Sequence, residues 1–118
     1  MKVFISHSTE DSEAAAELAQ AIASRGHDVL ARDSSDNPLR KADAMVVLVS
    51  SHAAASPFVR REIEFALETP RFAERLIPVI LGSTSEAPWI LRKLQSFSAG
   101  ADLTQTGRRV AEALEKTA

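Results

Sequence analysis

Six consecutive apolar residues, Ala-Met-Val-Val-Leu-Val at positions 44–49, are followed directly by Ser50 and Ser51. A strand buried on only one face alternates apolar and polar side chains, and this run does not alternate. The run is also shorter than an ordinary helix. We therefore predict that it is a central strand of a parallel sheet that is covered on both faces.

The segments on either side alternate between strand-like and helix-like patterns. Strands are predicted at residues 3–5, 28–31, 76–81 and 95–98; helices are predicted at 11–25, 57–68 and 106–116, with short helical segments at 39–42 and 89–94. Pro78 removes one ladder hydrogen bond from its strand, which indicates a position near an edge. Alternating strands and helices favour an α/β fold, in which ligands bind beyond the carboxyl ends of the strands.

Composition limits the class of protein and its partners. The chain has 118 residues, of which 45% are hydrophobic and 25% charged, and this size and composition are typical of one globular domain. A net charge of −2 argues against nucleic acid and anionic membranes as partners. The N-terminal segment does not resemble a signal peptide, no apolar run approaches the roughly 18 residues of a membrane span, and cysteine is absent. The expectation is a soluble, cytoplasmic protein.

Several α/β chemistries are excluded by missing motifs. The four glycines are scattered, so neither a dinucleotide-binding turn nor a phosphate-binding P-loop is present. A phospho-receiver domain needs acidic residues after its first and third strands, but serines and a histidine stand there. The absence of a GxSxG elbow excludes the serine-hydrolase arrangement. His7, His27 and His52 have no metal-ligand spacing, and we predict neither a metal nor a cofactor.

The helix predicted at 57–68 carries one charged residue on its apolar side. At about 100° per residue, one broad arc holds Phe58, Val59, Ile63, Phe65, Ala66 and Leu67. Glu62 falls inside this arc, whereas the other charged residues of the helix lie opposite. A carboxylate that faces a core must be hydrogen-bonded, paired or placed in a crevice. Glu62 is therefore either a buried glutamate tied to a backbone amide or to Arg32, or a functional carboxylate.

Four segments together resemble the bacterial type of Toll/interleukin receptor (TIR) domain. Residues 3–11, VFISHSTED, are similar to the opening box of the family, and residues 39–50 are similar to its short helix and third strand. Residues 56–62, SPFVRRE, match the Ser-Pro-Trp-Cys-x-x-Glu segment with Phe for Trp and Val for Cys. Residues 77–80, IPVI, match the fourth strand, and the order and spacing agree over nearly the whole chain.

The resemblance implies that residues 1–118 form a single TIR domain. Its fold would be a flavodoxin-like three-layer sandwich with five parallel strands in the order 2-1-3-4-5. Some family members are adaptors that signal through TIR–TIR assembly, whereas many bacterial and plant members are NAD⁺ glycohydrolases or cyclases. The expected function is therefore that of an NAD⁺ nucleosidase, a hydrolase that releases nicotinamide from NAD⁺, its substrate, in bacterial antiviral defence or effector signalling.

The resemblance also assigns site residues. The essential glutamate of the family's enzymes corresponds to Glu62. Five further residues would border the substrate pocket from the ends of the first three strands: Ser6, His7, Ser8, Arg32 and Ser50. Each of the five has a simpler interpretation as a loop or capping residue.

One departure from the family lies between the second and third strands. Only residues 34–39 remain between Asp33 and the short helix. The family usually has a longer loop here, which helps to form the substrate pocket and the contacts between assembled domains. We expect a more open pocket or one completed by a neighbouring subunit. Two alternatives stay open: a non-catalytic TIR module that acts as a scaffold or nucleotide sensor, and an α/β N-glycosidase that acts on nucleosides.

Overall fold

The centre of the protein is a parallel β-sheet. The computed structural model describes residues 1–30, 38–72, 74–81, 97–98 and 103–116. Four strands lie in the order β2-β1-β3-β4; they are β1 (Lys2–Ser6), β2 (Asp28–Leu30), β3 (Ala44–Val49) and β4 (Leu76–Ile80). The helices are α1 (Ser12–Ala23), α2 (Pro38–Lys41), α3 (Ser51–Ala54), α4 (Pro57–Glu68) and α5 (Leu103–Glu115). The α/β class and the order 2-1-3-4 are confirmed.

The fifth strand of the predicted order is described only in part. A two-residue strand, β5 (Phe97–Ser98), pairs in parallel with Val79 and Ile80 of β4. Pro78 lies one residue before this pairing and faces Val47 of β3 on its other side. Among the described residues, the missing N–H of Pro78 therefore falls where the outer side of β4 has no strand partner. The short helix predicted at 89–94 lies outside the described residues.

Strand β3 is buried along its whole length, as its sequence predicts. Every residue from Ala44 to Val49 is buried. Met45 and Val47 belong to a core cluster that includes α4, whereas Val46 and Leu48 belong to a cluster with α1 and α5. Successive side chains of a strand point to opposite faces. The result is a three-layer arrangement with α4 on one face of the sheet and α1 and α5 on the other.

Helix α4 begins and ends at the residues that the sequence predicts. The Ser56 side chain accepts a hydrogen bond from the Val59 amide at 3.4 Å, and Pro57 occupies the first helical position. Both features favour the start of a helix, because its first backbone amides have no acceptor within the helix. The serine side chain accepts from one of them, and proline has no N–H at its position.

Helix α1 is shorter than predicted at both ends. Residues Thr9–Asp11 form a 3₁₀ turn, so α1 begins at Ser12 rather than Asp11. It ends at Ala23 rather than Arg25, and Gly26 adopts a φ of 90°, which glycine tolerates best. Helix α5 begins at Leu103, three residues before its predicted start. Periodicity identified both helices but not the residues at which they begin and end.

Helices α1 and α5 approach each other closely at Gly107. This residue is buried, and a Cβ atom added to it would overlap the Cβ of Ala21 and lie 3.2 Å from the carbonyl oxygen of Leu18. The contact therefore requires glycine on α5, although glycine is a poor helix former.

We predict that Gly107→Ala destabilises the protein. The added methyl group would force the two helices apart, at a cost of about 1–3 kcal/mol that outweighs the roughly 1 kcal/mol gain in helix propensity. Urea unfolding measures the change. The double variant Ala21→Gly/Gly107→Ala removes the overlapping Cβ atom of Ala21. It should therefore be more stable than the sum of the two single substitutions predicts. A single Gly107→Ala variant as stable as wild type would contradict the close contact.

A second link between the ends of α1 and α5 is ionic. The Glu115 carboxylate accepts hydrogen bonds from Arg25 Nη2 at 2.7 Å and Arg25 Nε at 3.0 Å, and it lies 2.9 Å from His27 Nε2. The hydrogen bonds from Arg25, and then that from His27, lower the pKa of Glu115 from 4.5 to about 2. Because the folded-state pKa is lowered, the cluster stabilises the protein above pH 4.5, and this contribution is lost as the pH falls through about 2.

We predict that Glu115→Gln lowers the thermal midpoint at pH 6 and that the difference from wild type disappears near pH 2. Thermal unfolding followed by circular dichroism over this range measures both. Glu112→Gln is the matched control, because Glu112 lies 3.8 Å from Arg25 and is more exposed, so its effect should be smaller. A constant difference between Glu115→Gln and wild type at every pH would contradict the assignment.

Candidate functional site

The carboxyl ends of β1 and β3 lie side by side and bring three of the predicted site residues, Ser6, Ser8 and Ser50, to one edge of the sheet. Ser6, the last residue of β1, is in register with Val47 of β3. Ser8 follows β1 and Ser50 follows β3, and the three serines are buried, with 0%, 2% and 6% of their surfaces exposed. The predicted site therefore begins with hydroxyl groups that lie inside the protein.

Glu62 reaches this edge from α4. Its Oε1 atom accepts a hydrogen bond of 2.8 Å from the Ser6 hydroxyl, and the glutamate itself is half-buried. The donor is fully buried at the end of a strand, so the sheet fixes its position, and it orients the carboxylate through Oε1. The fold thus places the Glu62 carboxylate at the carboxyl edge of the sheet, hydrogen-bonded to Ser6.

The buried face of α4 is narrower than the sequence predicts. Val59, Ile63 and Ala66 are buried, but Phe58 is 62% exposed and Leu67 is 41% exposed. The expectation that these last two residues face the core is wrong, because the sheet covers only the middle of the apolar arc. Glu62 therefore lies at the border of the buried stripe, one turn after an exposed aromatic ring.

A second carboxylate joins the loops that follow β1 and β3. Asp11 Oδ2 accepts hydrogen bonds from the Ser8 hydroxyl at 2.9 Å and from the Ser50 hydroxyl at 2.5 Å. Ser50 is also the N-cap of α3, and its hydroxyl oxygen accepts from the Ala53 amide at 3.0 Å. One oxygen of Asp11 therefore joins the loop after β1 to Ser50, which lies 39 residues after Asp11 in the chain.

His7 faces a different part of the surface. Its Nδ1–H donates to the carbonyl oxygen of Ser8 at 2.7 Å. It also lines a groove of about 990 Å³ between α1 and β2, together with Ile5, Ala15 and Val29. His7 and Ser6 are consecutive in an extended segment, so they point to opposite faces. The structure therefore does not bring His7 to Glu62.

Other sequence predictions fall partly or wholly beyond the described residues. Arg32 lies outside them, as does most of the shortened loop at residues 34–39. Within the described part of the chain, no group of three or more histidine, cysteine, aspartate or glutamate side chains could hold a metal ion.

The hydrogen-bond partners of Asp11 and the exposure of Phe58 were not predicted. Asp11 was expected as a helix start and as the last residue of the family's opening box, but its hydrogen bonds to Ser8 and Ser50 were not expected. Phe58 was assigned to the core, and periodicity alone cannot separate the border of an apolar arc from its centre.

The fold and the site define an α/β protein with a half-buried glutamate at the carboxyl edge of its sheet. The family model described as TIR domain matches residues 3–117, and the chain therefore belongs to the TIR domain family. No curated protein matches it significantly. Among the described residues, no helix is both long and apolar enough to cross a bilayer.

Proposed function

We propose that this TIR domain cleaves the bond between nicotinamide and ribose in NAD⁺, with Glu62 as the catalytic residue. The observation that carries the proposal is the hydrogen bond from the buried Ser6 hydroxyl to the half-buried Glu62 carboxylate. Family membership supports it, because the TIR family includes members that cleave NAD⁺. As part of the same proposal, the enzyme acts in bacterial antiviral defence or effector signalling.

One carboxylate is sufficient for this reaction. When the bond breaks, its electron pair goes to the nicotinamide nitrogen, which is cationic in NAD⁺ and leaves as a neutral molecule without an acid. The ribose carbon develops oxocarbenium character, and a fixed carboxylate nearby stabilises that positive charge. Water then forms the new carbon–oxygen bond and releases a proton to solvent, giving ADP-ribose. Attack by another nucleophile of the same molecule gives a cyclic product instead.

Phe58 supports the proposal from the surface of α4. Residues four apart on a helix are neighbours, with Cβ atoms about 5–6 Å apart, so the exposed Phe58 ring lies beside Glu62. An exposed aromatic ring can stack on a flat heterocycle such as nicotinamide or adenine. We assign Phe58 to ring binding; a substrate-binding role for Ser6, His7, Ser8, Arg32 and Ser50 stays a prediction.

Self-association is the second part of the proposal. TIR domains commonly self-associate, and α4 exposes Phe58 and Leu67, two large apolar side chains that suit a protein contact. The shortened loop at residues 34–39 favours a site that a neighbouring copy completes. The same exposed pair favours the alternative function, a non-catalytic TIR module that acts through assembly alone.

We predict that Glu62→Gln abolishes most nicotinamide release and leaves the fold intact. Glutamine keeps the shape and can accept the Ser6 hydrogen bond, but it lacks the charge that stabilises the oxocarbenium centre. Turnover should fall by about 10²-fold or more, and the thermal midpoint should change by only a few degrees. Nicotinamide release and thermal unfolding are measured on the same preparations.

Glu64→Gln is the matched control for this experiment. It makes the same chemical change two residues later, on the exposed side of α4, and should leave turnover unchanged. A Glu62→Gln variant with wild-type turnover and a clearly lowered midpoint would contradict the catalytic assignment and make Glu62 a stabilising residue.

We predict that Phe58→Ala raises the KM for NAD⁺ by about 3- to 10-fold, which corresponds to the loss of one stacking contact. The thermal midpoint should hardly change because the ring is mostly exposed. Leu67→Ala removes the other exposed apolar side chain of α4, which is assigned to self-association and not to ring binding, and should raise KM less than Phe58→Ala does. Equal effects of both substitutions on KM would indicate a general loss of assembly rather than of ring binding.

A further inference from the structure

The hydrogen bonds of Asp11 connect the two loops that frame the candidate site. The Ser8 hydroxyl belongs to the loop after β1, and the Ser50 hydroxyl belongs to the turn that leads from β3 into α3. Both donate to the same Asp11 oxygen. Asp11 itself is fixed to the first loop, because its amide donates to the carbonyl oxygen of Ser8 at 3.1 Å.

The direction of these bonds is determined by chemistry. A carboxylate has only lone pairs, so each serine must use its single hydroxyl proton to reach Asp11. The oxygen of Ser50 then offers lone pairs to the Ala53 amide, which completes the cap of α3. One carboxylate oxygen thus orients two hydroxyl groups and, through one of them, the first turn of a helix.

The position of this network relates it to Glu62. Ser6 donates to Glu62 from the end of β1, two residues before Ser8. The loop that Asp11 holds therefore begins directly after the donor that orients the Glu62 carboxylate. Displacements well below 1 Å are sufficient to affect turnover, since a misplacement of about 1 Å can cost 10²-fold in rate.

We propose that Asp11 is a positioning residue, which joins the loops after β1 and β3 and thereby holds the wall of the site next to Glu62. It acts through Ser8 and Ser50 rather than on the substrate. This inference rests on the proposed function for its activity readout, whereas the link from Asp11 to α3 can be measured without any activity.

The test compares Asp11→Asn with Asp11→Ala. The side-chain oxygen of asparagine can accept both hydroxyl hydrogen bonds, so Asp11→Asn keeps the link and removes only the charge. We expect kcat for Asp11→Asn within about threefold of wild type, because the bonds persist but lose their ionic assistance. Asp11→Ala should lower kcat by about 10- to 100-fold, with a smaller change in KM. Glu10→Ala, at the exposed neighbouring acid, is the matched control and should leave both constants unchanged.

A second measurement reports the link directly. The exchange of the Ala53 amide with deuterated solvent, followed by NMR, should be faster in Asp11→Ala and close to wild type in Asp11→Asn and Glu10→Ala. If Asp11→Ala does not fold, Ser8→Ala takes its place. Removal of one of the two hydroxyl bonds should then give a smaller fall in kcat and a smaller acceleration of exchange.

The outcomes separate three cases. An Asp11→Asn variant as inactive as Asp11→Ala would overturn the proposal, because the charge rather than the link would then matter. Wild-type kcat and wild-type Ala53 exchange in Asp11→Ala would overturn it as well. If the wild-type protein releases no nicotinamide, the proposed function fails, and the exchange of Ala53 alone decides whether Asp11 links the two loops.

Discussion

Strand β3 is buried on both faces, and this burial determines how the other elements pack around it. Six apolar residues in succession cannot be satisfied by one covering layer, so helices must pack on both sides of the strand. The same burial places β3 in the interior of the sheet, with β1 and β4 as its neighbours. The chain leaves β3 at Ser50, beside the end of β1, and the candidate site forms where these two strands end.

The Ser6–Glu62 hydrogen bond connects the sheet to α4 at the candidate site. Ser6 is held by the sheet, Glu62 is held by α4, and the two lie 56 residues apart in the chain. The buried stripe of Val59, Ile63 and Ala66 fixes how far α4 is rotated, and this rotation brings Glu62 to the edge of the covered region. A glutamate one position earlier or later along the helix would point to solvent or into the core.

Much of the fold follows from local sequence patterns. The bounds of β3 and α4 agree with the prediction because a continuous apolar run and a Ser-Pro helix start are local signals. The 3₁₀ turn at Thr9–Asp11 was missed because a single turn is too short for a hydrophobic period to reveal it. The exposure of Phe58 depends on how much of α4 the sheet covers, which no local pattern contains.

The candidate site, like the fold, could be predicted from the sequence only in part. Glu62 could be identified from the sequence, since a charge inside an apolar arc is visible on a helical wheel and the family segment marks the same position. The link from Asp11 to Ser50 could not be identified, because it joins residues 39 apart through a hydrogen bond that follows from the strand order. The predicted fold thus indicates which strand ends and helices lie near Glu62. Which side chains form hydrogen bonds there can be read only from the structure.

Release of nicotinamide from NAD⁺ by the wild-type protein tests the central claim most directly. The purified chain is incubated with NAD⁺ over a hundredfold range of protein concentration, and NAD⁺, nicotinamide and ADP-ribose products are separated by chromatography. We expect one nicotinamide for each NAD⁺ consumed, with a specific activity that rises as the protein becomes more concentrated. NAD⁺ that stays intact at the highest protein concentration, including in the presence of a crowding agent, would contradict it.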